Sequence, residues 1–232
     1  MWVKICANTN LEDARLAAEL GADAVGFVFA PSKRQVTPEE VAEITPHLPA
    51  GVEKVGVFVP GDEETLYEAL AVSGLTAMQL HGELIEWEWE GILERTAGKV
   101  KLLQVVGYET QSENPAQARE DFERRLTEAV AHPAIWAVLL DAAKGGASGG
   151  LGVQFDWDEA SEIAARVYEG RKNAPKLIVA GGLKPGNVVE AINAFQPWGV
   201  DVASGVEAAP GKKDAVKLKE FIAAARASGR AK

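Results

Sequence analysis

Val25-Gly26-Phe27-Val28-Phe29 is a run in which no position offers a polar side chain. A half-buried strand alternates apolar and polar residues with a period of two, whereas an uninterrupted apolar run suits a parallel strand covered on both faces. Runs of this kind recur on either side of it. Strands are expected at Trp2–Cys6, Ala24–Phe29, Lys54–Val59, Ala77–His81, Lys101–Val106, Ala137–Asp141, Leu177–Ala180 and Val200–Ala203. Amphipathic helical stretches separate them. Thr37 followed by Pro38-Glu39-Glu40 reads as an N-cap, a proline in the first turn and acids that complement the helix dipole. Asn10-Leu11-Glu12-Asp13 and Gly61-Asp62-Glu63-Glu64 start helices in the same manner, and Gly21 and Gly74 end two of them. Strands alternating with helices imply right-handed βαβ units and a parallel sheet. Eight units in 232 residues fit a closed (β/α)8 TIM barrel, a single domain spanning residues 1–232. No Gly-x-Gly-x-x-Gly opens the first helix, which lowers the dinucleotide-binding alternative.

Composition narrows the class. The chain carries 24 Lys and Arg against 34 Asp and Glu, a formal charge of −10, which speaks against a nucleic-acid surface built to neutralise phosphates. It does not exclude an anionic small molecule, because a few amides and one or two cations capture a phosphate locally. No apolar run approaches the roughly 20 residues of a membrane span. One cysteine and no charged-then-apolar leader point to a reducing, cytoplasmic setting. Two polar or Gly-rich stretches, Tyr108–Pro115 and Lys144–Gly152, read as βα loops, and Trp157 as the start of the sixth helix.

Barrels of this type carry their chemistry at the C-terminal ends of the strands. Those positions collect Cys6, Arg34 in the Ser32-Lys33-Arg34 loop, Gln79, His81, Asp141, Gly181-Gly182, and Asp201 with Ser204-Gly205. Leu177-Ile178-Val179-Ala180-Gly181-Gly182 turns a buried strand into two glycines, and Val200-Asp201-Val202-Ala203-Ser204-Gly205 does the same with Ser-Gly. Small residues there let backbone N–H groups approach an anion, in the two loops where such barrels commonly hold phosphate. Asp141 ends an apolar strand, where desolvation would raise its pKa and suit it to proton donation. It could equally cap a helix or pair with Lys144. Arg34 could grip a carboxylate with its planar fork. The histidines, at 47, 81 and 132, sit in separate contexts, and no His/Cys/Asp cluster has metal-ligand spacing. A Walker loop is absent from the sequence. The residues alone therefore give a barrel enzyme for a phosphorylated, carboxylated metabolite, with acid–base chemistry shared by Cys6 and Asp141.

The combination of motifs resembles phosphoribosylanthranilate isomerase. The resemblance is carried by Lys4-Ile5-Cys6, Gly21–Phe29, Ser32-Lys33-Arg34, Val55–Val59, Gln79-Leu80-His81-Gly82, Leu140-Asp141, Gly149-Gly150-Leu151-Gly152 with Phe155-Asp156-Trp157, Ala180–Leu183 and Asp201–Glu207, ending in Pro210-Gly211-Lys212-Lys213-Asp214. It implies a cofactor-free Amadori rearrangement of N-(5-phosphoribosyl)anthranilate in tryptophan biosynthesis. By the same resemblance Asp141 is the general acid and Cys6 the general base, a thiol depressed toward neutral pKa. Arg34 holds the substrate carboxylate and Gly181, Gly182, Ser204 and Gly205 the phosphate, with Gln79, His81 and Asp201 lining the pocket. One departure stands out. The family pattern Lys-Ile-Cys-Gly-Ile-Thr is here Lys4-Ile5-Cys6-Ala7-Asn8-Thr9, and Ala7 brings a Cβ to a position where glycine could take a positive φ freely. Two rivals are a histidine-pathway sugar-phosphate isomerase, against which Cys6 in place of a first-strand carboxylate argues, and a catalytically silent, ligand-sensing barrel, against which intact Cys6 and Asp141 argue.

Overall fold

The computed structural model describes residues 1–61, 63–87, 89–144, 147–148 and 155–228. Eight strands run parallel: β1 (Trp2–Ile5), β2 (Ala24–Val28), β3 (Glu53–Phe58), β4 (Ala77–Leu80), β5 (Lys101–Glu109), β6 (Ile135–Lys144), β8 (Lys176–Val179) and β9 (Gly199–Val202). A short β7 (Ala147–Ser148) pairs antiparallel with β6, and β10 (Glu207–Ala209) with β11 (Lys212–Lys213) forms a small hairpin. The hydrogen-bonded order β5-β4-β3-β2-β1-β9-β8-β6 closes because β6 also pairs with β5. Eight helices surround it: α1 (Leu11–Glu19), α2 (Pro38–Ile44), α3 (Glu63–Val72), α4 (Trp89–Thr96), α5 (Pro115–Ala131), α6 (Trp157–Tyr168), α7 (Val188–Phe195) and α8 (Ala215–Ser228). The fold is the closed (β/α)8 barrel expected.

Local chemistry sets the helix starts. The Asn10 side chain accepts from the Asp13 N–H, and Thr37 and Glu40 form a reciprocal capping box with Pro38 in the first turn. Each such cap satisfies an orphan donor and is worth about 1 kcal/mol. Gly21 follows α1 at φ 99°, a conformation that closes a helix and is costly for a residue with a Cβ.

Two strands depart from expectation. β5 and β6 run on past the barrel rim, paired as far as Glu109 with Ala143, because each shields the other's backbone beyond the layer the other strands reach. Asp141 consequently lies within β6 rather than closing it, and the alternative of a helix-capping Asp141 falls away. Tyr108 likewise belongs to β5 and not to the loop before α5. The Gly149–Gly152 motif lies outside the described residues.

The core has two compartments. One lies between barrel and helices. The other fills the barrel interior, where Val55, Ala77, Leu103, Leu139 and Ile178 pack from different strands. Trp2, Trp136 and Trp198 close the floor at the N-terminal strand ends, with ring centroids 5.1–6.1 Å apart. At the opposite end the interior turns polar. Side chains two apart on a strand share a face, so Lys4 and Cys6 point inward together, as do Gln79 and His81. The opening run explains why they fit. A Cβ on Gly26 would lie 2.7 Å from the Cys6 sulfur and 3.1 Å from Lys4 Cε. Replacing Gly26 by Ala is expected to destabilise the fold by about 1–3 kcal/mol, the usual cost of overpacking, read as a lower urea midpoint. An unchanged midpoint would show that the interior yields without cost.

Candidate active site

A cavity of about 450 Å3 opens where the barrel strands end. Cys6, Arg34, Gln79, His81, Asp141, Gly181, Gly182, Asp201 and Ser204 all line it. Gly205 does not. It sits behind the wall, where a Cβ would come within 1.8 Å of the Leu183 carbonyl oxygen, so glycine here lets the turn after β9 press against the loop after β8. Those two segments form one concave wall. Gly181 and Gly182 have φ of 79° and 67°, and among the described residues their N–H groups donate to no protein acceptor. Such a pair of amides is a ready anion cradle.

Two charged networks lie beneath. In the first, Lys4 is fully buried and donates to Gln79 Oε1 at 2.8 Å and Asp201 Oδ1 at 3.0 Å. Burial disfavours its charge, but Asp201 and Cys6 outweigh that and hold its pKa above the usual lysine value. Since Lys4 can only donate, it fixes which end of the Gln79 amide is oxygen. The Gln79 nitrogen then points at His81 Nε2, 3.2 Å away, so that ring nitrogen accepts. Burial and the Lys4 charge push the His81 pKa down to about 4, leaving a neutral imidazole.

In the second network, Arg34 donates to Glu207 through Nε and Nη2 at 2.7–3.1 Å. Burial works against ionisation of Glu207, yet Arg34 and Lys213 keep its pKa below the ordinary range. Lys213, itself buried, donates to the Cys6 carbonyl at 2.5 Å and contacts Glu207 at 3.4 Å. The β10–β11 hairpin thus grips the Cys6 backbone from behind.

Asp141 is 8% exposed and accepts from its neighbour's N–H, Ala142, at 2.7 Å. Desolvation raises its pKa to about 7, with the Asp201 charge adding to the rise. It is poised to be protonated near neutrality, as the sequence led us to expect. Cys6 is the opposite case. Burial pushes the thiol up, Lys4 draws it down and Asp201 pushes it up again, for a net rise, the opposite of the depressed thiol expected from sequence.

Sequence reasoning missed Lys4, Glu207 and Lys213. Lys4 carried a usable signal, standing two residues before Cys6 and so on the same face. Glu207 and Lys213 stood in the motifs of the resemblance but received no role, since their hairpin lies outside the strand–helix periodicity. Ala7, which stands where the resembled pattern has glycine, adopts the left-handed backbone, at φ 61°. It is pinned there by Cys6 N–H to Val202 O at 2.8 Å and Asn8 N–H to Gly26 O at 2.9 Å. The Asn8 amide donates to Ile5 O and Gly26 O, while its Oδ1 finds no partner among the described residues.

A closed parallel barrel with an anion cradle and ionisable groups on its C-terminal rim defines the (β/α)8-barrel enzymes of phosphorylated metabolites. Comparison with known proteins narrows this. The family model N-(5'-phosphoribosyl)anthranilate (PRA) isomerase matches residues 3–224. The N-(5'-phosphoribosyl)anthranilate isomerase of Pelobacter propionicus is 41% identical over 225 residues, 97% of this chain and 95% of that one. The crystal structure of phosphoribosyl anthranilate isomerase from Thermotoga maritima shares 38% identity and a TM-score of 0.77, covering 98% and 99% of the two chains. Another isomerase structure, in complex with reduced 1-(o-carboxyphenylamino)-1-deoxyribulose 5-phosphate, matches at 37% identity and TM-score 0.73 over the same shares. The chain belongs to the phosphoribosylanthranilate isomerase family. Among the described residues no helix is long and apolar enough to cross a membrane.

Two outcomes follow for the free protein. The left-handed conformation costs a Cβ-bearing residue about 1–2 kcal/mol, partly offset by the backbone entropy glycine loses. Ala7→Gly is therefore expected to stabilise the fold by about 0.5–1 kcal/mol, read as a higher denaturant midpoint. For Asp141 the folded pKa lies above the unfolded one, so its cost is absent in acid and grows as pH rises toward about 7. Relative to wild type, Asp141→Asn should gain stability across that window and level off above it. A constant difference from acid to alkaline pH would contradict the buried, neutral carboxyl.

Proposed function

We propose that this cavity isomerises N-(5-phosphoribosyl)anthranilate to 1-(2-carboxyphenylamino)-1-deoxyribulose 5-phosphate, with Asp141 as general acid and Cys6 as general base. The observation that carries it is that a neutral-leaning carboxyl and a thiol face one cavity with an anion cradle at its wall. The cradle made by Gly181, Gly182 and the turn at Ser204 takes the phosphate, Gly205 supporting that turn. The isomerase structure holding a carboxyphenylamino-deoxyribulose phosphate fits a ligand of this shape.

Asp141 donates its proton to the ring oxygen of the furanose as the C1–O bond breaks, leaving a protonated Schiff base between C1 and the anthranilate nitrogen. That cation acidifies the C2–H bond. Cys6, as thiolate, takes the C2 proton, and the C–H electrons close the C1=C2 double bond of an enolamine and neutralise the nitrogen. Tautomerisation to the ketone completes the reaction with no net gain or loss of atoms. Arg34 has Nε and Nη2 committed to Glu207, so its Nη1 is the edge offered to the anthranilate carboxylate. Asp201 holds Lys4, and Gln79 and neutral His81 offer fixed dipoles to the sugar hydroxyls. No step requires a cofactor. Among the described residues no group of His, Cys, Asp and Glu is placed to hold a metal.

Following the loss of substrate fluorescence tests this directly. Wild type is expected to convert the substrate, and Asp141→Asn and Cys6→Ser each to lose about 10²–10⁴-fold in kcat, the usual worth of a general acid or base. An inactive wild type would sink the activity; full activity in both variants would sink the assignment of acid and base.

A further inference from the structure

We propose that Lys4, a residue no substrate atom need touch, is the positioning residue that favours the thiolate of Cys6 against the burial that opposes it, with Asp201 as the counterweight that keeps Lys4 in place. The proposal deepens the isomerase reading and rests on it. A base that accepts the C2 proton must begin as a thiolate, yet Cys6 is 6% exposed, where a lone thiolate would be expelled by desolvation. A fixed cation beside the sulfur is the remedy that chemistry offers, and Lys4 supplies it. Both side chains leave the same face of β1, and both press on Gly26: its absent Cβ would meet the Cys6 sulfur at 2.7 Å and Lys4 Cε at 3.1 Å. The ammonium itself is immobilised by Gln79 Oε1 and Asp201 Oδ1. Strand register makes the arrangement rigid, since Lys4 and Asp201 are direct partners in the β1–β9 ladder.

The charges around the sulfur have opposed effects. Lys4 from β1 and Lys213 from β11 favour the thiolate, and Asp201 from β9 disfavours it. Arg34, after β2, also senses the Cys6 charge. Asp141 on β6 faces the same Lys4 and Asp201, and His81 at the end of β4 faces Lys4 as a neutral ring. Lys213 is already spent on Glu207 and the Cys6 carbonyl. Lys4 is the larger of the two favourable charges, and its removal leaves only Lys213 to offset burial and a carboxylate.

The test is the rate of Cys6 alkylation by iodoacetamide, followed by mass spectrometry from about pH 6 to 9, since a thiolate reacts and a thiol does not. Cys6 is the only cysteine, so the modification is unambiguous. Asp201→Asn keeps the hydrogen bond to Lys4 and removes the opposing charge, and should speed alkylation near neutral pH by about tenfold, the effect of one pKa unit. Lys4→Met should slow it by at least about tenfold by the same measure. The double variant, Lys4→Met with Asp201→Asn, leaves no unpaired buried charge and should fall between Lys4→Met and wild type. If Lys4→Met does not fold, the double variant still reads slower than wild type. Opposite signs support the proposal, because loosened packing would speed both single variants. Changes of the same sign, or a double variant that alkylates at or above the wild-type rate, overturn it. An active wild type is not needed for this readout, so failure of the isomerase reading is seen separately in the fluorescence assay.

Discussion

The buried ion pair between Lys4 and Asp201 ties the first barrel strand to the last and sits directly beneath the cavity. Such a pair is weak support for stability, since an apolar pair of equal volume often does as well. Losing one partner is another matter, at about 3–5 kcal/mol for an uncompensated buried charge. Its worth lies in what it orients. Lys4 fixes the Gln79 amide, Gln79 fixes the His81 tautomer, and Asp201 sets the field felt by Cys6 and Asp141. Remove the pair and the fold could keep its shape while the polar layer lost its order.

A second constraint acts on the backbone. The β10–β11 hairpin brings Lys213 to the carbonyl of Cys6 and Glu207 to Arg34, so Cys6 and Arg34 are joined through one buried chain. The strained φ at Ala7 sits inside that grip. Backbone held in a sparsely populated region beside reacting groups is common at functional sites. Here the chain tolerates alanine because hydrogen bonds on both sides leave it no alternative.

The sequence was most informative where periodicity and position coincide. Parallel strands were legible from the unbroken run at Val25–Phe29 and its counterparts, and the rim residues followed from reading strand ends. The lengths of β5 and β6 were not legible, because their extensions depend on pairing with each other and not on composition. Asp141 was rightly singled out for burial, though it lies inside a strand. Cys6 was rightly placed but its pKa was misjudged: the environment that raises it, burial plus Asp201, is assembled by β9, far away in sequence. The pairing of Glu207 with Lys213 and the Cys6 carbonyl was not legible for the same reason.

Removal of the C2 proton by Cys6 is the step on which the proposed chemistry depends. Single-turnover rates with substrate carrying hydrogen or deuterium at ribose C2, compared in wild type and Cys6→Ser, test it most directly. A weaker base should make proton removal the slow step, so the variant is predicted to turn over far more slowly and to show a primary isotope effect. A Cys6→Ser protein as fast as wild type, or a slowed one indifferent to deuterium, would contradict the role assigned to Cys6.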